Sequence, residues 1–152
     1  MLTAPLAGCV LLTDFVVVNA SDVKIQVSYR VKEAPGATDP LQMLPIRPAT
    51  KSAADLDEDV QWHQLGTSEF SFDVGTRTVS TSLNGGDALR IEQRNLVDGP
   101  QNDYDRAQNF AIEEIELKGV YGDIRLQGDL ARRSFVVKSR KTYVLAYDYK
   151  SP

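Results

Sequence analysis

The chain has 152 residues, a length typical of one domain and enough to bury a core. Hydrophobic residues make up 42% and charged residues 25%, a composition that excludes a low-complexity or wholly disordered chain. The formal net charge of −4 disfavours nucleic acid as a partner, and the local basic candidates, Arg132-Arg133 with Lys138, Arg140 and Lys141, read as solvated turns and strand faces.

In chain order the first signal is Leu6-Ala7-Gly8-Cys9. These four residues resemble the lipobox of bacterial lipoproteins, where the chain is cut before the cysteine and the thiol takes a lipid. Small residues before the cut let an extended backbone enter a protease groove, and more than one acyl chain gives stable anchoring. The resemblance implies lipidation at Cys9, a membrane as partner through that lipid, and a bacterial cell-envelope address. Val10, where an Asp often signals inner-membrane retention, implies the outer membrane, facing the periplasm. Residues 1–9 are then the remnant of a signal and residues 10–152 a single domain. A secretory leader has a basic start and an apolar stretch of ~7–15 residues. Met1 to Pro5 supply neither, so this reading needs a start upstream, and without one the chain stays in the cytoplasm. The other reading of Leu6 to Leu12 is a buried first strand with Cys9 in the core. Cys9 is the single cysteine, which excludes an intrachain disulfide, and no apolar run approaches the ~18–20 residues of a spanning helix.

Beyond Cys9, period-2 alternation dominates. Phe15 to Val18 is β-branched and apolar, and Asn19-Ala20-Ser21-Asp22 is a polar turn. From Val23 to Lys32, Val23, Ile25, Val27, Tyr29 and Val31 share one face and polar residues share the other, which predicts a half-buried strand. The two runs and their turn predict a hairpin. From Lys32 to Gln61 five prolines and glycines interrupt the pattern, predicting a long connection with an edge strand near Met43 to Arg47 and a helical turn at Ser52 to Leu56. Strand signals resume at Phe70 to Val74 and Thr78 to Leu83. Asn84-Gly85-Gly86-Asp87 is a strong turn, and Ala88 to Glu92 completes a second predicted hairpin. Residues 95–108 read as a loop. The apolar phase slips between Ile112 and Ile115, which predicts a β-bulge at Glu113-Glu114. Gly119 to Gly122 and Gly128 to Ser134 are turns, and strands around Phe135-Val137 and Tyr143-Tyr147 close the chain. The expected fold is an all-β, mostly antiparallel β-sandwich of eight to nine short strands, immunoglobulin-like or jelly-roll-like. The expected core is Val17, Ile25, Val27, Tyr29, Phe70, Phe72, Leu89, Ile91, Ile112, Ile115, Leu117, Ile124, Leu126, Phe135, Val137, Tyr143, Leu145 and Tyr147.

Chemistry-bearing residues are few. His63 is the single histidine, with no Gly-x-Ser-x-Gly elbow to accompany it, and reads as a surface or edge residue. One histidine and one near-terminal cysteine cannot build a zinc site. Asp55, Asp57 and Asp59 are weak candidates for calcium, without the spacing of a calcium loop. There is no phosphate loop and no dinucleotide fingerprint, so no cofactor is expected. Trp62 reads as a core plug or cap, and Trp62, Tyr104 and Tyr121 are the aromatic candidates for ligand contact. The expectation is a non-catalytic binding module of the cell envelope with a possible protein partner. Alternatives are a carbohydrate- or calcium-binding domain and, least of all, a soluble enzyme.

Overall fold

The computed structural model describes residues 11–34, 36–96, 110–139 and 142–150. In chain order the elements are β1 (Leu11–Asn19), β2 (Ile25–Val31), β3 (Ala49–Ser52), β4 (His63–Gln64), β5 (Ser71–Asp73), β6 (Thr78–Leu83), β7 (Asp87–Leu96), β8 (Ile112–Gly119), β9 (Gly122–Gln127), a one-turn helix α1 (Asp129–Arg133), β10 (Val136–Ser139) and β11 (Thr142–Tyr147). They form an all-β sandwich of a six-stranded sheet, β10-β11-β1-β7-β3-β4, and a five-stranded sheet, β5-β6-β2-β8-β9. Pairing is antiparallel except between β1 and β11, which run parallel with Val17 opposite Leu145. Two very short strands, β4 and β5, help bring the number among the described residues to eleven, above the eight or nine that the apolar rhythm alone suggests.

β2 shows why a sandwich forms. Ile25, Val27, Tyr29 and Val31 are buried while Lys24 and Gln26 are exposed, so the strand hides one face. Val79 and Leu83 of β6 and Ile112, Ile115 and Leu117 of β8 lie in the same layer. The facing sheet contributes Phe15, Val17, Leu89, Ile91, Leu145 and Tyr147. One end of the core is aromatic: Phe15 stacks on Tyr143 at 5.1 Å between centroids, and Phe110 and Phe135 pack on it at 5.1 and 5.6 Å. Each fully buried side chain of this kind contributes about 1.5–3 kcal/mol. The expected bulge is present. Arg30 faces Glu114 and Val31 faces Ile112, so Glu113 is the extra residue, and both Ile112 and Ile115 stay in the core.

Three expectations are corrected. Val137 is 59% exposed, because β10 is the edge strand and nothing described covers its rim. The strand expected near Met43 to Arg47 begins instead at Ala49, between β7 and β4. Pro40–Met43 forms a 3-10 turn, and Pro45 and Pro48 cannot donate to a ladder, so pairing starts after the last proline. A second 3-10 turn, Ala53–Asp55, occupies the expected helical turn, with Ser52 before it.

The third correction concerns both predicted hairpins. β1 and β2 lie in different sheets, and so do β6 and β7. Each turn carries the chain across the sandwich. The physical reason is burial on two faces: Val16 and Val18 of β1, and Ala88 and Arg90 of β7, are buried on the outer side of their sheet, whereas β2 and β6 keep a wet outer face. β1 and β7 therefore pair with each other. The two crossing turns lie against one another, and Asn19 joins them. It is fully buried, and its side-chain amide donates to Val23 O at 2.7 Å and to Leu83 O at 3.0 Å. Its Oδ1 accepts from the N–H and the hydroxyl of Ser21 at 3.1 and 2.6 Å, and its backbone carbonyl accepts from Gly86 N–H at 2.8 Å. A β-carbon on Gly85 would lie 2.6 Å from Ser21 O, so only glycine allows this backbone approach. Asn19→Ala removes a donor from the buried Leu83 carbonyl and one of the two side-chain donors of the Val23 carbonyl, and is expected to lower unfolding free energy by ~2 kcal/mol in a urea titration.

Candidate functional site

The sequence candidates scatter. Cys9 and Tyr104 lie outside the described residues. Tyr121 is half-buried in the two-residue loop of the β8–β9 hairpin. Asp55 closes the second 3-10 turn, and Asp57 and Asp59 are exposed beyond it. The structure does not gather them. Residues two apart share a face on a strand but diverge in a tight turn. Among the described residues no group of three or more His, Cys, Asp or Glu side chains is placed to hold a metal ion.

Trp62 is a cap. It packs on a satellite cluster of Val16, Val18, Leu56 and Ala88 on the outer side of the six-stranded sheet. Lys51 Nζ lies 4.9 Å and the Arg90 guanidinium 5.1 Å from its ring centroid. Lys51 is held there by the carbonyls of Glu58 and Val60. Arg90 is buried, with Asp14 Oδ1 at 3.8 Å, and burial pulls its pKa below the ordinary value although Asp14 acts the other way. The ring is thus committed to covering this face. Trp62→Ala is expected to lower stability by ~3 kcal/mol, read by urea unfolding followed by circular dichroism.

His63 is exposed on the edge strand β4, where its Nε2 lies 3.0 Å from Glu69 Oε1. The Gly66 N–H and then His63 hold the Glu69 carboxyl below the usual carboxylate range. The pair closes the 63–69 loop and has no nucleophile beside it in any hydrogen bond of the described residues.

The outer face of the five-stranded sheet is polar throughout its trough. Register carries one row across all five strands, Ser71, Ser80, Ser28, Glu116 and Arg125, and a second row, Asp73, Thr78, Arg30, Glu114 and Gln127. These rows floor an open trough of about 590 Å³. Its charges neutralise one another: Arg125 Nε donates to Glu114 at 2.8 Å, Arg30 bridges Glu113 and Glu114 at 3.1 and 3.4 Å, and Lys118 meets Glu116 at 2.8 Å. Ser28 and Ser80 hydroxyls lie 3.1 Å apart. Such a face is well hydrated and internally satisfied, which leaves little for a ligand to gain.

The opposite character appears at the β10 edge. β10 pairs with β11 on one side, with Val136 opposite Val144 and Val137 opposite Tyr143. On the other side no described strand pairs with it. Val136 is 68% and Val137 59% exposed, and Leu130 of α1, just upstream, is 64% exposed. Neighbouring strand residues point to opposite faces, so this edge offers an apolar contact above and below the sheet. The remaining free edges are shorter or charged: β4 has two residues, β5 has three, and β9 exposes Asp123, Arg125 and Gln127. Charge on an edge is a device that keeps strands away. Sequence reading missed this site because Val137 alternates with Phe135 like a core residue. No local signal separates it, because the adjacent pair Val136-Val137 reads equally as a strand covered on both faces, as Val16-Val17-Val18 of β1 is.

Comparison with protein-family models, with curated proteins and with solved structures finds no match to this chain.

Proposed function

We propose that this chain is a non-catalytic binding module of the bacterial cell envelope that takes an extended segment of a partner protein as an added strand beside β10. The observation that carries the reading is the outer edge of β10, which no described strand pairs, with Val136 and Val137 both turned to solvent. An unpaired edge presents backbone donors and acceptors in register for another strand, and side chains on alternating faces supply the specificity. The six-stranded sheet is a firm platform for this. β11 is locked between β10 and the central β1, and Tyr147 O accepts from Ala20 N–H at 2.8 Å. The Tyr147 hydroxyl reaches across the sandwich to Gly122 O at 2.7 Å. Strand addition to an edge already in extended conformation avoids the ordering cost that a loop site would carry.

The test is selection of displayed random peptides against the intact chain. Selected peptides are expected to slow amide exchange of residues 136–139, and replacing Val136 and Val137 together with alanine is expected to weaken them about tenfold, or roughly 1.4 kcal/mol. Peptides that bind while leaving exchange in β10 unchanged would end this reading.

The tether belongs to the same proposal. Leu6-Ala7-Gly8-Cys9 supports lipid attachment at Cys9, which would place the module on the membrane surface, the outer membrane with the domain facing the periplasm in the reading favoured here. Behind an export leader in a bacterial host, the chain is expected to incorporate labelled palmitate and to lose it in Cys9→Ala. An unlabelled, fully soluble wild-type chain would remove the tether from the proposal.

A further inference from the structure

We infer that the segment captured at β10 is acidic, an extended strand in which carboxylate side chains alternate with apolar ones. The inference rests on the strand-addition reading and adds the chemistry of the partner. The chain as a whole is acidic, with a net charge of −4, yet between Leu130 and Tyr147 it carries Arg132, Arg133, Lys138, Arg140 and Lys141 and no Asp or Glu. The two of these that flank the described edge, Arg133 and Lys138, are both exposed. Neither forms an ion pair with any described residue. Arg30, Arg77, Lys118 and Arg125 meet carboxylates of the chain, whereas Arg133 and Lys138, like Lys24 and Lys150, meet none among the described residues. An edge with two apolar contacts, flanked by two exposed cations that meet no described carboxylate, is complementary to an acidic strand, and such complementarity steers association and sets register.

Two other occupants fit less well. A second copy of the chain paired at the same edge would set one basic rim against another, which like-charge repulsion opposes. An anionic bilayer would satisfy Arg133, Lys138 and the exposed Leu130, but a strand edge pressed into lipid keeps its backbone groups unpaired at a cost of several kcal/mol each. A peptide strand satisfies the charge, the apolar contacts and the backbone together.

The experiment uses the folded chain and two fluorescent synthetic peptides, one alternating valine with glutamate and one alternating valine with lysine, together with phosphatidylglycerol vesicles. Binding is read by anisotropy for the peptides and by co-sedimentation for the vesicles. The glutamate peptide is expected to bind, to weaken in high salt and to protect the amides of 136–139, while the lysine peptide does not bind. The double variant Arg133→Glu and Lys138→Glu is expected to weaken the glutamate peptide about fivefold or more and to admit the lysine peptide. Both positions are exposed, and an unchanged circular-dichroism melt confirms that the variant is folded. Equal binding of the two peptides at β10 would overturn the acidic partner and leave strand addition standing. Binding of neither peptide, with β10 still open in solution, would overturn both. Binding to vesicles without binding to peptides, or a dimer by light scattering that Val137→Lys dissolves, would overturn the acidic strand in favour of lipid or of a second copy.

Discussion

The buried carboxamide of Asn19 is the constraint on which the sandwich depends. The β1–β2 and β6–β7 turns both carry the chain from one sheet to the other, and holding these two crossings in fixed relation keeps the sheets from sliding past one another. Asn19 does this with few atoms. Its amide ties the start of β2 to the end of β6, its Oδ1 shapes its own turn through Ser21, and its main-chain carbonyl grips Gly86 in the neighbouring turn. Gly85 permits the contact by having no side chain. A polar group placed so deeply is tolerated because its donors and acceptor are all engaged, and in that setting it fixes one arrangement rather than many.

The fold class was legible because half-buried strands print a two-residue rhythm. Ile25, Val27, Tyr29 and Val31 announced their face without ambiguity, and the phase slip between Ile112 and Ile115 announced the extra residue at Glu113. Which strands pair was less legible. Asn19 to Asp22 and Asn84 to Asp87 have the chemistry of hairpin turns, and that chemistry does not distinguish a return within a sheet from a step across to the other. The distinguishing signal lay in the runs themselves. Phe15-Val16-Val17-Val18 is apolar on both faces and belongs to a strand covered twice. β2 alternates and belongs to a strand covered once. Neighbours in one sheet tend to share that property, so β1 was better matched to β7 than to β2.

The candidate site was legible only in fragments. Trp62 was recognisable as a core plug or cap, and the structure makes it the cap of Val16, Val18, Leu56 and Ala88. Its cationic neighbours Lys51 and Arg90 were not, because β3 and β7 come together through tertiary pairing that no local window contains. The β10 edge was obscured for a related reason. Alternation shows that a strand has two faces but not how far each face is covered, and coverage is set by position in the sheet. The basic character of the segment was visible from the start, yet its meaning depended on learning that Arg133 and Lys138 flank a strand that no described strand pairs on its outer side, and that neither forms an ion pair with a described residue.

The parallel pairing of β1 with β11 carries a consequence for biogenesis. The first described strand is central in its sheet, and one of its two partners, β11, is the last described strand. The six-stranded layer therefore cannot close until β11 is available, and the wide sequence separation of this ladder makes closure slow. Until then Val16, Val17 and Val18 form a sticky, half-paired ribbon. The layer gains its native pairing only once β11 is available to β1.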